Sequence, residues 1–170
     1  MNSHDKMDTV KPHELGKNDG ELALKLVKSG PSHRKFLRQI MFWGDVSGSL
    51  KFMDQLSTYE FCVLNSTSQM HKLGSRLLDK ADFTYIDEDM LKMVNEKIRR
   101  YQVNKTMKIW REMIDSIPQS FIYTRTLMTS YETFLCMYRN RKDHKMFEWR
   151  AFCTAGREKL PFMNTILEEV

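Results

Sequence analysis

The sequence predicts an α/β (α+β) protein, a helix-rich single domain with a small sheet. Three observations lead there. The chain has 170 residues, 41% of them hydrophobic and 29% charged, which is ordinary globular usage and enough length for one core but not two. Most of the apolar residues recur at helical spacing. A few short runs have instead the β-branched and aromatic content of strands.

Residues 1–19 carry Pro12, Gly16 and little apolar content, so a flexible arm is expected there, followed by one globular domain over 20–170. The first helix should cover 19–29, with Asp19 as its cap and Gly30-Pro31 as its stop. A short helix over 32–39 follows. The run "QIMFWGDV" reads as a buried strand bounded by Gly44 and Gly48, and 48–56 as a helical turn presenting Leu50, Met53 and Leu56. Residues 57–75 begin with β-favouring types and end in a cluster of Asn, Ser and Thr, the composition of a loop that bonds backbone or ligand.

"ADFTYIDED" is a short extended piece in which Asp87 can cap the next helix. That helix, over 88–116, sets Leu91, Val94, Ile98 and Tyr101 on one stripe and Met107, Trp110, Ile114 and Ile117 on another. The phase slips between the two stripes, which predicts a break near Val103-Asn104. After Pro118, "SFIYTRTLMTS" is a strand. Tyr131, Phe134, Leu135 and Tyr138, then Met146, Trp149, Cys153, Gly156 and Leu160, predict two packed helices over 130–160.

The formal charge is +5 with a pI near 9.1, which favours anionic ligands without requiring nucleic acid. Cys62, Cys136 and Cys153 are odd in number and far apart, so they read as reduced, mostly buried thiols. The N-terminus lacks an apolar stretch, and no run approaches the ~20 apolar residues of a membrane span. A cytoplasmic protein is expected. The 13 methionines are read as core filler. Histidines 4, 13, 33, 71 and 144 have no metal-ligand spacing. GxGxxG, GxxxxGK[ST] and GxSxG are absent, which sets aside Rossmann and P-loop phosphate binding and the nucleophile elbow.

Two cation-rich stretches remain. Lys92, Lys97, Arg99, Arg100, Lys105, Lys108 and Arg111 share the long helix with Tyr101 and Trp110. Interleaved cations and aromatics can track a phosphate backbone and stack bases, whereas aromatics turned into the core would leave only a solvated face. "RNRKDHKMFEWR", residues 139–150, is the other. On one continuous helix Arg141, His144 and Glu148 would share a face. A bidentate Arg beside a His suits a phosphate monoester, and an exposed face laced with ion pairs is the alternative.

The order of segments resembles the flavin-dependent thymidylate synthases, and more closely a set of short, divergent phage and Firmicutes proteins that look like relatives of them. "IMFWGDVSGSLKFMDQLSTYEFCVLNSTSQMH" is similar to the strand, helix and RHRxxSxNxxSxR motif of that family, with Asn65 and Ser68 on its NxxS part. Thr58, Tyr59 and Glu60 stand where the family has Arg-His-Arg. "IPQSFIYTRTLMTSYETFLCMYRNRKDHKMFEWR" resembles the second signature, with Arg141 on the helix Arg that contacts deoxyuridylate and Glu148 near the Glu of the last stretch. Ser130-Tyr131-Glu132 replaces the family's NxR.

The resemblance covers about residues 20–160 and implies a homo-oligomeric scaffold with FAD as cofactor. It also implies a nucleotide or related anion bound by Arg141, Asn65, Ser68 and Glu148, to which the helix-face reading adds His144. Replacing Arg-His-Arg removes charge-assisted hydrogen bonds of ~1.5–3 kcal/mol each, so either the ligand or the catalysis of dUMP methylation has changed. The reading from another class is a non-enzymatic phage-type inhibitor or nucleic-acid-binding protein, acting on nucleic acid or on a nucleic-acid-binding partner protein through the basic helix faces.

Overall fold

The computed structural model describes residues 15–66 and 72–169. Residues 1–14 of the expected arm, and Ser68 and His71, lie outside the described residues. The first helix, α1 (Lys17–Lys28), starts two residues earlier than expected, with Gly16 as N-cap and Asp19 inside its first turn. Residues 17–19 therefore belong to the helix and not to an arm. Its buried side is Gly20, Ala23 and Val27, and the chain leaves it through Gly30 at φ 93°, a conformation open to glycine at no steric cost. The short helix expected next is a 3-10 turn over Lys35–Arg38 that buries Leu37.

Three strands form one antiparallel sheet in the order β1 (Met41–Ser49), β3 (Ile122–Ser130), β2 (Val63–Ser66). β3 is central, with Trp43 opposite Met128 and Val63 opposite the same residue from the other side. The run around "QIMFWGDV" is thus a strand, but an edge strand and not a buried one: Trp43 is 65% exposed. Aromatic content signals a strand and cannot tell which face is covered. Side chains alternate, so Phe42 and Val46 of β1, Leu64 of β2 and Leu127 of β3 face the helices while Trp43, Asp45, Asn65 and Thr126 face outward.

α2 (Leu50–Ser57) opens where Ser49 accepts from the Phe52 N–H at 3.2 Å. It buries Phe52, Met53 and Leu56 completely, Leu50 being only half-buried. The break in the long helix is where the slip in phase puts it: α3 (Glu88–Val103) is capped by Asp87, and α4 (Met107–Ile114) by Thr106. α5 (Tyr131–Arg141) and α6 (Phe147–Lys159) follow β3, and α7 (Met163–Glu168) ends the described chain. A Cβ on Gly156 would lie 2.1 Å from the Phe134 ring, so α5 and α6 meet at a contact only glycine permits.

Three hydrophobic clusters result. α3 and α4 pack on Leu73, Leu78, Phe83 and Phe121. α1, α5 and α7 enclose Val27, Leu37, Phe134 and Met163. α2, α5 and α6 close over Phe52, Met53, Leu56, Met137 and Trp149 beneath the sheet. Met53, Met113, Met137 and Met163 are fully buried, the core-filling use expected of methionine, whereas Met90, Met93 and Met107 are exposed. Among the described residues no helix is long and apolar enough to cross a membrane.

Candidate functional site

α2 ends in the turn Thr58-Tyr59-Glu60-Phe61, which leads into β2. This turn faces the start of α5, and between them lies a cleft of about 670 Å³, with Arg38 and Met41 at one side and Ser130, Glu132, Thr133 and Cys136 at the other. Thr58, Tyr59 and Glu60 therefore line one cavity with Ser130 and Glu132, while Tyr131 turns into the core. Phe61 has φ 60° and its ring is 79% exposed at this cleft. Its backbone is held by fully buried Thr129, whose hydroxyl donates to the Phe61 carbonyl at 3.1 Å and accepts from the Cys62 thiol at 3.4 Å. Burial pushes the Cys62 thiol above its ordinary range, which keeps it a donor.

The charge at the α5 end of the cleft is internally matched. Arg34, 5% exposed, grips Glu132 with both Nε and Nη2, at 2.9 Å for the shortest contacts. A buried guanidinium of this kind needs a bidentate carboxylate to offset its desolvation. A separation of 98 positions left no spacing signal by which the pair could be found in the sequence.

Arg141, the last residue of α5, lies behind the Tyr59 side chain. Its Nε donates to the Tyr59 hydroxyl at 2.9 Å, and its guanidinium carbon sits 4.9 Å from the Trp149 ring centre and 5.8 Å from that of Tyr59. Trp149 is fully buried and anchored by its Nε1–H to Gln55 Oε1 at 2.8 Å. Two rings and one hydrogen bond thus fix the guanidinium, and among the described residues Nη1 and Nη2 have no hydrogen-bond partner. Below this group, burial pushes the Cys153 thiol up to about 11, against the pull of the Arg141 charge. Cys136, by contrast, is exposed at the cleft, so the cysteines are not uniformly buried.

The other predicted site residues are dispersed. The helix does not run on from Arg141: residues 142–146 form a turn, and Arg141, His144 and Glu148 do not share a helical face. His144 Nδ1 accepts from the Met146 N–H at 3.1 Å, its ring 6.4 Å from Trp149. Arg150 closes the same turn by donating to the His144 and Lys145 carbonyls. Glu148 is buried in the first turn of α6 and accepts from the Ser49 hydroxyl at 2.7 Å, so it ties α6 to the start of α2. Asn65 is exposed on the outer face of β2, whereas its neighbour Leu64 packs with Tyr59 and Trp149.

On α3 and α4 the aromatics point inward: Tyr101 and Trp110 pack against the core. Lys92, Arg99, Arg100 and Arg111 pair with Asp89, Glu96, Glu112 and Asp115, while Lys97, Lys105 and Lys108 have no ion pair among the described residues. Both rings, which single-strand binding would use as stacking platforms, are thus partly taken up by core contacts. Among the described residues no group of three or more His, Cys, Asp or Glu could hold a metal ion.

No family model and no curated protein matches the chain. The fold does have solved counterparts. Two crystal structures of the flavin-dependent thymidylate synthase ThyX from Helicobacter pylori, both with FAD and dUMP, superpose with a TM-score of 0.67 at 15% identity. The superposition covers 89% of this chain and 82% of each of those. The chain therefore has a ThyX-like fold.

Proposed function

We propose that this chain is a flavin-dependent thymidylate synthase-like protein that binds a nucleotide or related anion through Arg141. The observation that carries the reading is the state of that guanidinium: held by Tyr59 and Trp149, with Nη1 and Nη2 unpartnered among the described residues. Such a group is ready for a bidentate oxyanion. The fold supports the choice of anion, since the ThyX structures that share it hold dUMP. The Tyr59 ring shields one side of the guanidinium from water and its hydroxyl fixes the plane, so an incoming phosphate meets donors that are already oriented.

FAD, which the same structures hold, would bring a diphosphate, and the cleft residues do not fit it. Glu132 consumes Arg34, Glu60 adds a further negative charge, and among the described residues Arg38 is the one exposed cation lining the cavity. No flavin-dependent step follows from these side chains. What the chain's own residues perform is binding and orientation. Homo-oligomerisation is part of the proposal, supported by the outward row Trp43, Met128 and Val63, an apolar strip on an uncovered sheet face.

The test is thermal unfolding with and without dUMP. Saturating nucleotide should stabilise the wild type by RT ln(1 + [L]/Kd), about 2.7 kcal/mol at a hundredfold excess over Kd, and Arg141→Ala should abolish the shift. An undiminished shift in that variant removes Arg141 from the site.

A further inference from the structure

We propose that the cleft beside the Tyr59 turn binds an uncharged planar heteroaromatic ring, stacked on Phe61, and excludes a ligand that brings a diphosphate. The proposal rests on the reading above only in taking this part of the scaffold as a ligand site. Its first support is the presentation of Phe61. A bulky L residue in the left-handed region is uncommon and disfavoured by contact between Cβ and backbone, and here the ring gains nothing from its own chain, being 79% exposed. The conformation is nevertheless imposed by a buried device, the Cys62 to Thr129 to Phe61-carbonyl chain of hydrogen bonds. Strain that the surroundings enforce and burial does not repay is characteristic of binding sites.

The second support is charge. The N-terminus of α5 opens on the cleft and would attract an anion, but Glu132 in its first turn already supplies one, itself matched by Arg34. The side chains of Ser130 and Thr133 are bonded to each other at 3.1 Å, and Ser130 also accepts the Thr133 N–H. A phosphorylated end would meet the carboxylates of Glu60 and Glu132 at that terminus. Of the remaining lining, Met41, Tyr59, Phe61 and Cys136 are apolar or aromatic, Thr58 is a neutral hydroxyl, and the exposed cation Arg38 is outnumbered by Glu60 and Glu132. The cleft volume of about 670 Å³ lies within the roughly 300–1,000 Å³ of small-molecule sites, and π-stacking on an aromatic ring requires no charge.

Riboflavin, FMN and FAD share one ring system, to which FMN adds a phosphate and FAD a diphosphate with its adenosine, so fluorescence quenching of the three by the full-length protein is the test. Riboflavin should bind at least as tightly as FMN and at least tenfold more tightly than FAD, with little dependence on salt. Phe61→Ala and Phe61→Gly should each weaken riboflavin at least tenfold, the glycine variant without loss of melting temperature, and Phe61→Tyr should retain it. Tighter binding of FAD than of riboflavin overturns the proposal, as does quenching of none of the three. Equally, a dimer that falls apart in Phe61→Ala without riboflavin binding would assign the ring to contact between copies. Wild-type protein that binds riboflavin but shows no dUMP shift sinks the nucleotide reading and supports this one. The reverse pattern sinks this one alone.

Discussion

The α3–α4 pair and the segment 139–150 are both rich in cations interleaved with aromatics, and the fold uses them in opposite ways. On α3 and α4 the rings of Tyr101 and Trp110 go inward and the cations stay out, pairing with Asp89, Glu96, Glu112 and Asp115 in water. Around 139–150 the ring of Trp149 is buried and Arg141 follows it in, lying on its face. A charge against a buried ring is held in one orientation, whereas a charge on a long exposed stem samples many. Composition is thus a poor guide to which basic segment can select a ligand. The deciding quantity is whether a buried partner fixes the cation.

The largest expected effect that would break this contrast is on Trp149. Trp149→Ala should cost about 3–5 kcal/mol, the range for emptying an aromatic site in a packed core, read as a fall in the denaturant midpoint. It should also remove the dUMP shift, because Arg141 loses its platform. A variant that is destabilised but still shifts fully with dUMP would mean that the ring does not position Arg141. Next in size is Glu148→Ala, which leaves the Ser49 hydroxyl without its buried acceptor and should cost about 1–3 kcal/mol.

A subtler effect sharpens the comparison. The Cys153 thiol, raised to about 11 by burial, is pulled down by Arg141. In the unfolded chain it titrates near 9.0, so the native state retains the proton longer. Its contribution to stability is present below pH 9 and is lost as pH rises from there through about 11. Arg141→Ala should move Cys153 ionisation further up, measured by pH-dependent alkylation, and Arg100→Ala should leave it where it is. Equal effects of both variants would dissolve the distinction between the two regions. The smallest effect is on the α3–α4 surface itself. Arg100→Ala, which breaks a half-exposed pair with Glu112, should change stability by less than about 1 kcal/mol, checked by urea unfolding.

Periodicity made the helices legible: the slip between the Leu91 and Met107 stripes marked the break that Thr106 caps, and Asp87 was recognisable as an N-cap. The α5–α6 pair was legible for the same reason, and β3 by its β-branched and aromatic content. The candidate site was legible in part. Arg141 and the Thr58-Tyr59-Glu60 turn stood out, but the assumption of one continuous helix over 139–150 joined Arg141, His144 and Glu148 in a way the turn at 142–146 forbids. Phe61, Thr129, Gln55 and the Arg34–Glu132 pair left no trace in the sequence. Each acts with a partner distant along the chain, and no local spacing records such a contact.

By itself the sequence determined what depends on neighbours along the chain: helix stripes, caps and the break after Val103. Only the tertiary structure decided that β1 is an edge, that Glu132 is answered by Arg34, that Arg141 rests on Trp149 and that Phe61 is left facing the cleft. The physical reason is range. Propensity and capping act over about one helical turn, whereas burial, ion pairing and ring contact are settled by which distant segments the packing of the core brings together.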